Sequence, residues 1–145
     1  MKIVREIILY LWQLPQNLLG LILLLFYKRE KVYHRLNGRI FYYTYEMPSG
    51  ISLGNYIIMS CGDIEDGMKH EYGHSIQSRI LGPAYLLIIG IPSLLGNIYD
   101  RVFNKEWKFS KSCRWYYNQP WEKWADKLGG VDREKFYKYW EALGF

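Results

Sequence analysis

The apolar positions of this chain fall into two long runs with a patterned region between and after them. Residues 7–26 and 80–99 carry no charged side chain. Between the runs, residues 39–47 and 50–60 are rich in β-branched and aromatic residues, the composition of strands. Met47-Pro48-Ser49-Gly50 supplies turn chemistry between them, so the pattern predicts a β-hairpin. In it, Ser52-Leu53-Gly54-Asn55-Tyr56 reads as an edge strand beside the next helix, available to an extended peptide. The period then changes: Met68, Tyr72, Ile76 and Ile80 recur every fourth position and predict a helix with a core-facing stripe, capped by Asp63 or Asp66. Pro120 suits the first turn of a further helix that Gly129-Gly130 stops. Asp132 caps a last amphipathic helix to about residue 143, with Phe136, Trp140 and Leu143 on one side and Tyr137 beside them. That helix reads as packing, not chemistry. The fold class is α+β, mainly helical, with a short hairpin beside a central helix.

The first apolar run is long enough to cross a bilayer at about 1.5 Å per residue. Gln13, Pro15, Gln16 and Asn17 interrupt it, which equally suits a helix pair packed on the domain or lying in the interface. No small-residue cleavage site follows it, which argues against a removed signal peptide. The chain divides into an apolar, membrane-contacting segment, 1–27, and one domain, 28–145. Basic residues cluster after each run: Lys28, Arg29, Lys31 and Arg35, then Arg101, Lys105, Lys108, Lys111 and Arg114. With 145 residues, net charge +5, 50% hydrophobic and 18% aromatic side chains, anionic lipid is the expected partner of that charge. No nucleic-acid module is present in the sequence, so nucleic acid is not an expected partner.

The chemistry lies at residues 70–74, His-Glu-Tyr-Gly-His. On a helix, His70 and His74 project from one face and can share a tetrahedral zinc ion. Glu71 is placed to act as general base toward a metal-activated water. A third ligand is needed. In the helix begun by Pro120, Glu122 and Asp126 are four apart and share a face. Glu122 can bind the metal, and Asp126 can accept a hydrogen bond from the far nitrogen of a ligand histidine.

The His-Glu-x-Gly-His motif, followed by Glu122-x-x-Ala125-Asp126 and a Gly pair, resembles the membrane-associated gluzincins: the CAAX prenyl endopeptidases, the bacterial membrane quality-control metalloproteases and small bacterial proteins with the same pattern. The resemblance covers 67–79 and 120–130. It implies a zincin-like fold and a zinc-dependent endopeptidase, with His70, His74 and Glu122 as ligands, Glu71 as base, and a peptide or protein as substrate. The alternative is a membrane-associated zinc protein with a structural or sensor role and no turnover; Glu71 argues against it, because a structural site has no use for that carboxylate.

A shared metal constrains the second apolar run. His74 precedes it and Glu122 follows it, so a single complete crossing would put them on opposite sides of the bilayer. Residues 100–118 are too charged to cross back. The run is therefore expected to re-enter, form a hairpin or lie in the core, with breaks at Gly82-Pro83 and Gly90-Ile91-Pro92. Tyr116 and Tyr117 are candidate oxyanion donors, but core or interface tyrosines are the preferred reading. His34 reads as solvated, and Cys61 and Cys113 show no metal-ligand spacing.

Overall fold

The computed structural model of the chain describes residues 2–27, 33–36, 39–61 and 65–145. Lys28, Arg29, Lys31 and the candidate cap Asp63 lie outside the described residues, and His34 is on a strand. The first apolar run is two helices, α1 (Lys2–Trp12) and α2 (Leu14–Phe26), bent by 82°. Pro15, in the first turn of α2, has no N–H to continue α1.

This helix pair is inside out. Gln13, Gln16 and Asn17 are fully buried, while Ile3, Ile7, Leu11, Leu18, Ile22 and Leu25 are exposed. The buried amides bind the pair to the domain. Gln16 Nε2 donates to Ser78 Oγ (3.0 Å) and to the Gly82 carbonyl (2.8 Å), and Ser78 Oγ donates to Gln13 Oε1 (2.9 Å). Asn17 Oδ1 accepts from the Asn55 backbone N–H at 2.8 Å. The polar residues that interrupt the sequence run are thus its docking surface.

Four strands follow: β1 (Tyr33–Leu36), β2 (Arg39–Thr44), β3 (Ile51–Leu53) and β4 (Tyr56–Ser60), in the order β1-β2-β4-β3. The expected hairpin is misplaced. β2 and β4 pair parallel, and the residue 47–50 turn links strands that are not neighbours. The antiparallel hairpins are β1–β2 and β3–β4. The second turns on Gly54-Asn55, where Gly54 takes φ +64°, the left-handed backbone that a two-residue turn requires. Tyr56 is consequently in an inner strand, and only Ile51–Leu53 forms the edge. Residues flanking a two-residue turn are hydrogen bonded to each other, so Ser52, the next pair back, turns its carbonyl away from β4. Tyr85 donates its hydroxyl to that carbonyl at 3.0 Å, so the edge is closed there.

Phe41, Ile57 and Met59 form the buried core, with Tyr43 and with Met68 and Tyr72 of α3 (Glu65–Leu81) packed against them. Asp66 lies in the first turn of α3, not at its cap, and Ile80, the last member of the predicted stripe, is exposed. α3 stops at Gly82, which has φ +55° and lies under the Trp12 ring. A 3-10 turn (Gly82–Ala84) and a π-type turn (Leu86–Gly90) lead into α4 (Ile91–Phe103) without a break at Gly90, whose backbone is helical. The stretch Leu86–Phe103 is long and apolar enough to cross a membrane, and only 6% of it is buried, so it is not core. It is the outgoing arm of a helical hairpin. α5 (Phe109–Tyr117) returns along it, with Tyr99 stacked on Trp115 at 5.3 Å and Ser93 Oγ 2.9 Å from the Tyr116 hydroxyl. α6 (Pro120–Gly129) and α7 (Arg133–Ala142) complete the chain; Gly130, at φ +77°, ends α6, and Asp132 caps α7 by accepting from the Lys135 N–H. On α7 the buried ring is Tyr137, while Leu143 is exposed.

Candidate metal centre

The centre lies where α3 crosses α6 with backbone nearly in contact. A Cβ added to Gly73 would lie 1.9 Å from the Ala125 carbonyl oxygen, and one added to Gly129 would lie 1.9 Å from that of Lys69. Each glycine admits the other helix's backbone, and this close approach brings one turn of α3 against one turn of α6. His70, His74 and Glu122 then meet as a buried cluster. The two Nε2 atoms are 3.1 Å apart, and Glu122 Oε2 is 3.0 Å from His70 Nε2 and 3.1 Å from His74 Nε2.

The hydrogen atoms follow from the neighbours. His70 Nδ1 is 2.7 Å from Asp126 Oδ1. The carboxylate of Asp126 is held in turn by both arms of Arg133, at 2.8 Å each, so it accepts and the imidazole donates. His74 Nδ1 is 2.7 Å from Gln77 Oε1. The Gln77 amide is oriented by its own N–H donation to the Trp121 carbonyl at 2.8 Å, so its oxygen faces the imidazole. Both rings therefore carry the proton on Nδ1 and turn the Nε2 lone pair inward. Two lone pairs and a carboxylate oxygen within 3.1 Å of one another repel unless a cation lies among them.

Charge within the pocket says the same. Glu122 is fully buried, and its second oxygen, Oε1, has no hydrogen-bond partner among the described residues. Burial alone would raise its pKa, but positive charge at His74 and His70 outweighs this and holds it well below the usual carboxylate range, so the ionised carboxylate is stable only with a cation beside it. Burial would likewise lower the His70 pKa, yet Asp126 and Glu122 outweigh it and push it up to about 9, so without a metal the pocket draws a proton onto the Nε2 that faces Glu122, and a bound ion would take that proton's place. The protein groups alone leave the pocket short of positive charge. A tetrahedral ion with bonds of about 2.0–2.1 Å separates its ligands by about 3.3 Å. The observed donor distances lie within about 0.3 Å of that, so the residues fit a metal ion.

No family model, no characterised protein and no solved structure matches this chain. The reading of the site rests on its own geometry.

The structure brings together His70, His74, Glu122 and Asp126, with Glu71 buried beside His70 and packed against Gly50. Tyr117 stands edge-on to His70 at 5.1 Å under the Arg133 guanidinium, and Tyr116 bonds to Ser93. Cys61 and Cys113 are separate free thiols. Two residues were missed in the sequence. Gln77 lies one turn beyond His74, a spacing that makes it available to that ring. Arg133 is on the helix read as packing alone, and only the fold brings it to Asp126.

Asp126→Ala is expected to weaken metal affinity by roughly 10–100-fold through loss of the His70 tautomer. Titration against a chromophoric chelator measures it, and wild-type affinity in the variant would remove the orienting role.

Proposed function

We propose that this chain is a zinc-dependent endopeptidase of the gluzincin type, acting at a membrane surface. The observation that carries the reading is the pair of imidazoles locked with their Nε2 lone pairs facing Glu122. Two nitrogens and one carboxylate oxygen form the donor set of catalytic zinc sites, which leave the fourth position open. His70, His74 and Glu122 would hold the ion. Zinc, when bound, supplies a Lewis acid that polarises a peptide carbonyl and makes water a nucleophile near neutral pH. Glu71 accepts the proton of the attacking water on its carboxylate and returns it to the leaving amine. Asp126 and Gln77 keep both Nδ1 protons in place, so neither ring turns away from the reaction centre.

The membrane part of the proposal is supported by the exposed apolar faces of α1, α2 and α4, an area that soluble surfaces rarely leave bare. α5 carries Lys111 and Arg114 back along α4, and Lys108 immediately precedes it. Burying α4 across a bilayer would drag these charges with it, at several kcal/mol. A placement in the interface avoids that, with apolar faces in lipid and the metal pocket above them.

Zinc content is the deciding test. Protein loaded in excess zinc and desalted is expected to hold one ion per chain, and His74→Ala is expected to lose most of it. Wild-type protein that retains no zinc would sink the proposal; zinc retained without proteolysis of any unfolded protein substrate would favour the structural or sensor role.

A further inference from the structure

Away from the metal pocket, the first helix and the sheet enclose an open cavity of about 650 Å³. Among the described residues, Lys2, Arg39 and Arg79 line it against one carboxylate, Glu6. Arg79 Nη2 pairs with Glu6 Oε2 at 2.7 Å, but Arg79 Nε is buried with no partner among the described residues. Among the described residues Arg39 makes one weak contact, a 3.4 Å donation from Nε to Ser75 Oγ. The tyrosines Tyr10 and Tyr56, hydroxyls 3.4 Å apart, form a further polar wall. Ile3 and Ile7 of the same cavity are also part of the exposed apolar face of α1.

We propose that this cavity binds a phosphate group between Arg39 and Arg79. The Arg39 and Arg79 guanidiniums both line the cavity and match the tetrahedral oxygens of a phosphate, and among the described residues one lining carboxylate opposes the three lining cations. Burial, and then repulsion from Arg79, push the Arg39 pKa down to about 10, and Glu6 offsets only part of this. The apolar rim selects an amphiphile: a phospholipid headgroup can place its phosphate inside while its chains follow Ile3 and Ile7. Lipid as the source rests on the membrane reading above; phosphate binding does not, and neither depends on zinc.

The test is flotation of the full chain with vesicles of phosphatidylcholine alone and with added phosphatidylglycerol. Binding to the neutral vesicles reports on the membrane reading by itself. The phosphatidylglycerol preference is expected to fall about fivefold in Arg39→Gln. Two charge-matched pairs separate a site from a general field. Arg39→Gln must lose more than Arg101→Gln, and Glu6→Gln must gain more than Glu106→Gln, since Arg101 and Glu106 are exposed elsewhere. A second arm compares thermal unfolding in inorganic phosphate and in chloride at equal ionic strength. Stabilisation by phosphate that Arg39→Gln abolishes, with equal effects within the vesicle pairs, supports the site with a free phosphate as its occupant. If Arg39→Gln does not fold, Glu6→Gln and Arg39→Lys carry both arms. Equal effects within both pairs and no phosphate-specific stabilisation overturn the proposal.

Discussion

If the chain is the proposed peptidase, Glu71→Gln is expected to lower peptide hydrolysis by roughly 10²–10⁴-fold, the usual contribution of a general base, while zinc content stays at the wild-type level. The amide is nearly the size of the carboxylate but cannot accept a proton. The two readouts separate causes that activity alone confuses. A base acts after the metal is in place, so its loss spares binding. A group that shapes the pocket would lower both. Glu71 is a neighbour of His70 and is packed against Gly50, so the isosteric change is the one that leaves this packing intact. An authenticated activity surviving in Glu71→Gln at near wild-type rate would mean that another group takes the proton.

Gly73→Ala has the second large effect, and it reaches the metal without touching a ligand. The added methyl would sit 1.9 Å from the Ala125 carbonyl oxygen, a backbone atom that no rotamer change can move. The helices must part by about 1 Å or more to restore ordinary contact. α6 then carries Glu122 and Asp126 away from α3 together. Metal sites tolerate about 0.2 Å, so zinc affinity is expected to fall at least about 100-fold, and stability by about 1–3 kcal/mol. Gly96→Ala is the matched control. There the new methyl meets only the Tyr116 ring edge at 3.7 Å, and replacing a mid-helix glycine stabilises by about 0.5–1 kcal/mol. Chelator titration and urea unfolding of the two variants give the comparison; equal zinc affinity in both would show that the crossing is looser than described.

What could be read from the sequence tracks how local each constraint is. The spacing of His70 and His74 and the Glu122–Asp126 pair follow from helical periodicity within a few residues. The helix limits at Pro120 and Gly130 are likewise local. Strand pairing is not. Gly54-Asn55 and the turn at 47–50 are comparable turn signals, and which one closes a hairpin depends on which strands the core residues Phe41 and Ile57 bring side by side. Hydrophobicity misleads in the first run, where the polar interruptions dock and the apolar residues face out. Arg133 illustrates the same limit: its charge is plain in the sequence, and its partner Asp126 is reached only across the turn that Gly130 permits.

The spacing of the three donors along the chain also sets an order of assembly. His74 and Glu122 are 48 residues apart, and Arg133 follows both. A ribosome adds about 5–20 residues per second, so the two imidazoles emerge some seconds ahead of the carboxylate. During that interval Gln13 and Gln16 already have Ser78 to dock on, and the α1–α2 pair can settle against α3. An ion met by the nascent chain has two ligands only and exchanges freely. Capture waits for translation of α6 and α7, so loading follows the docking of the first two helices.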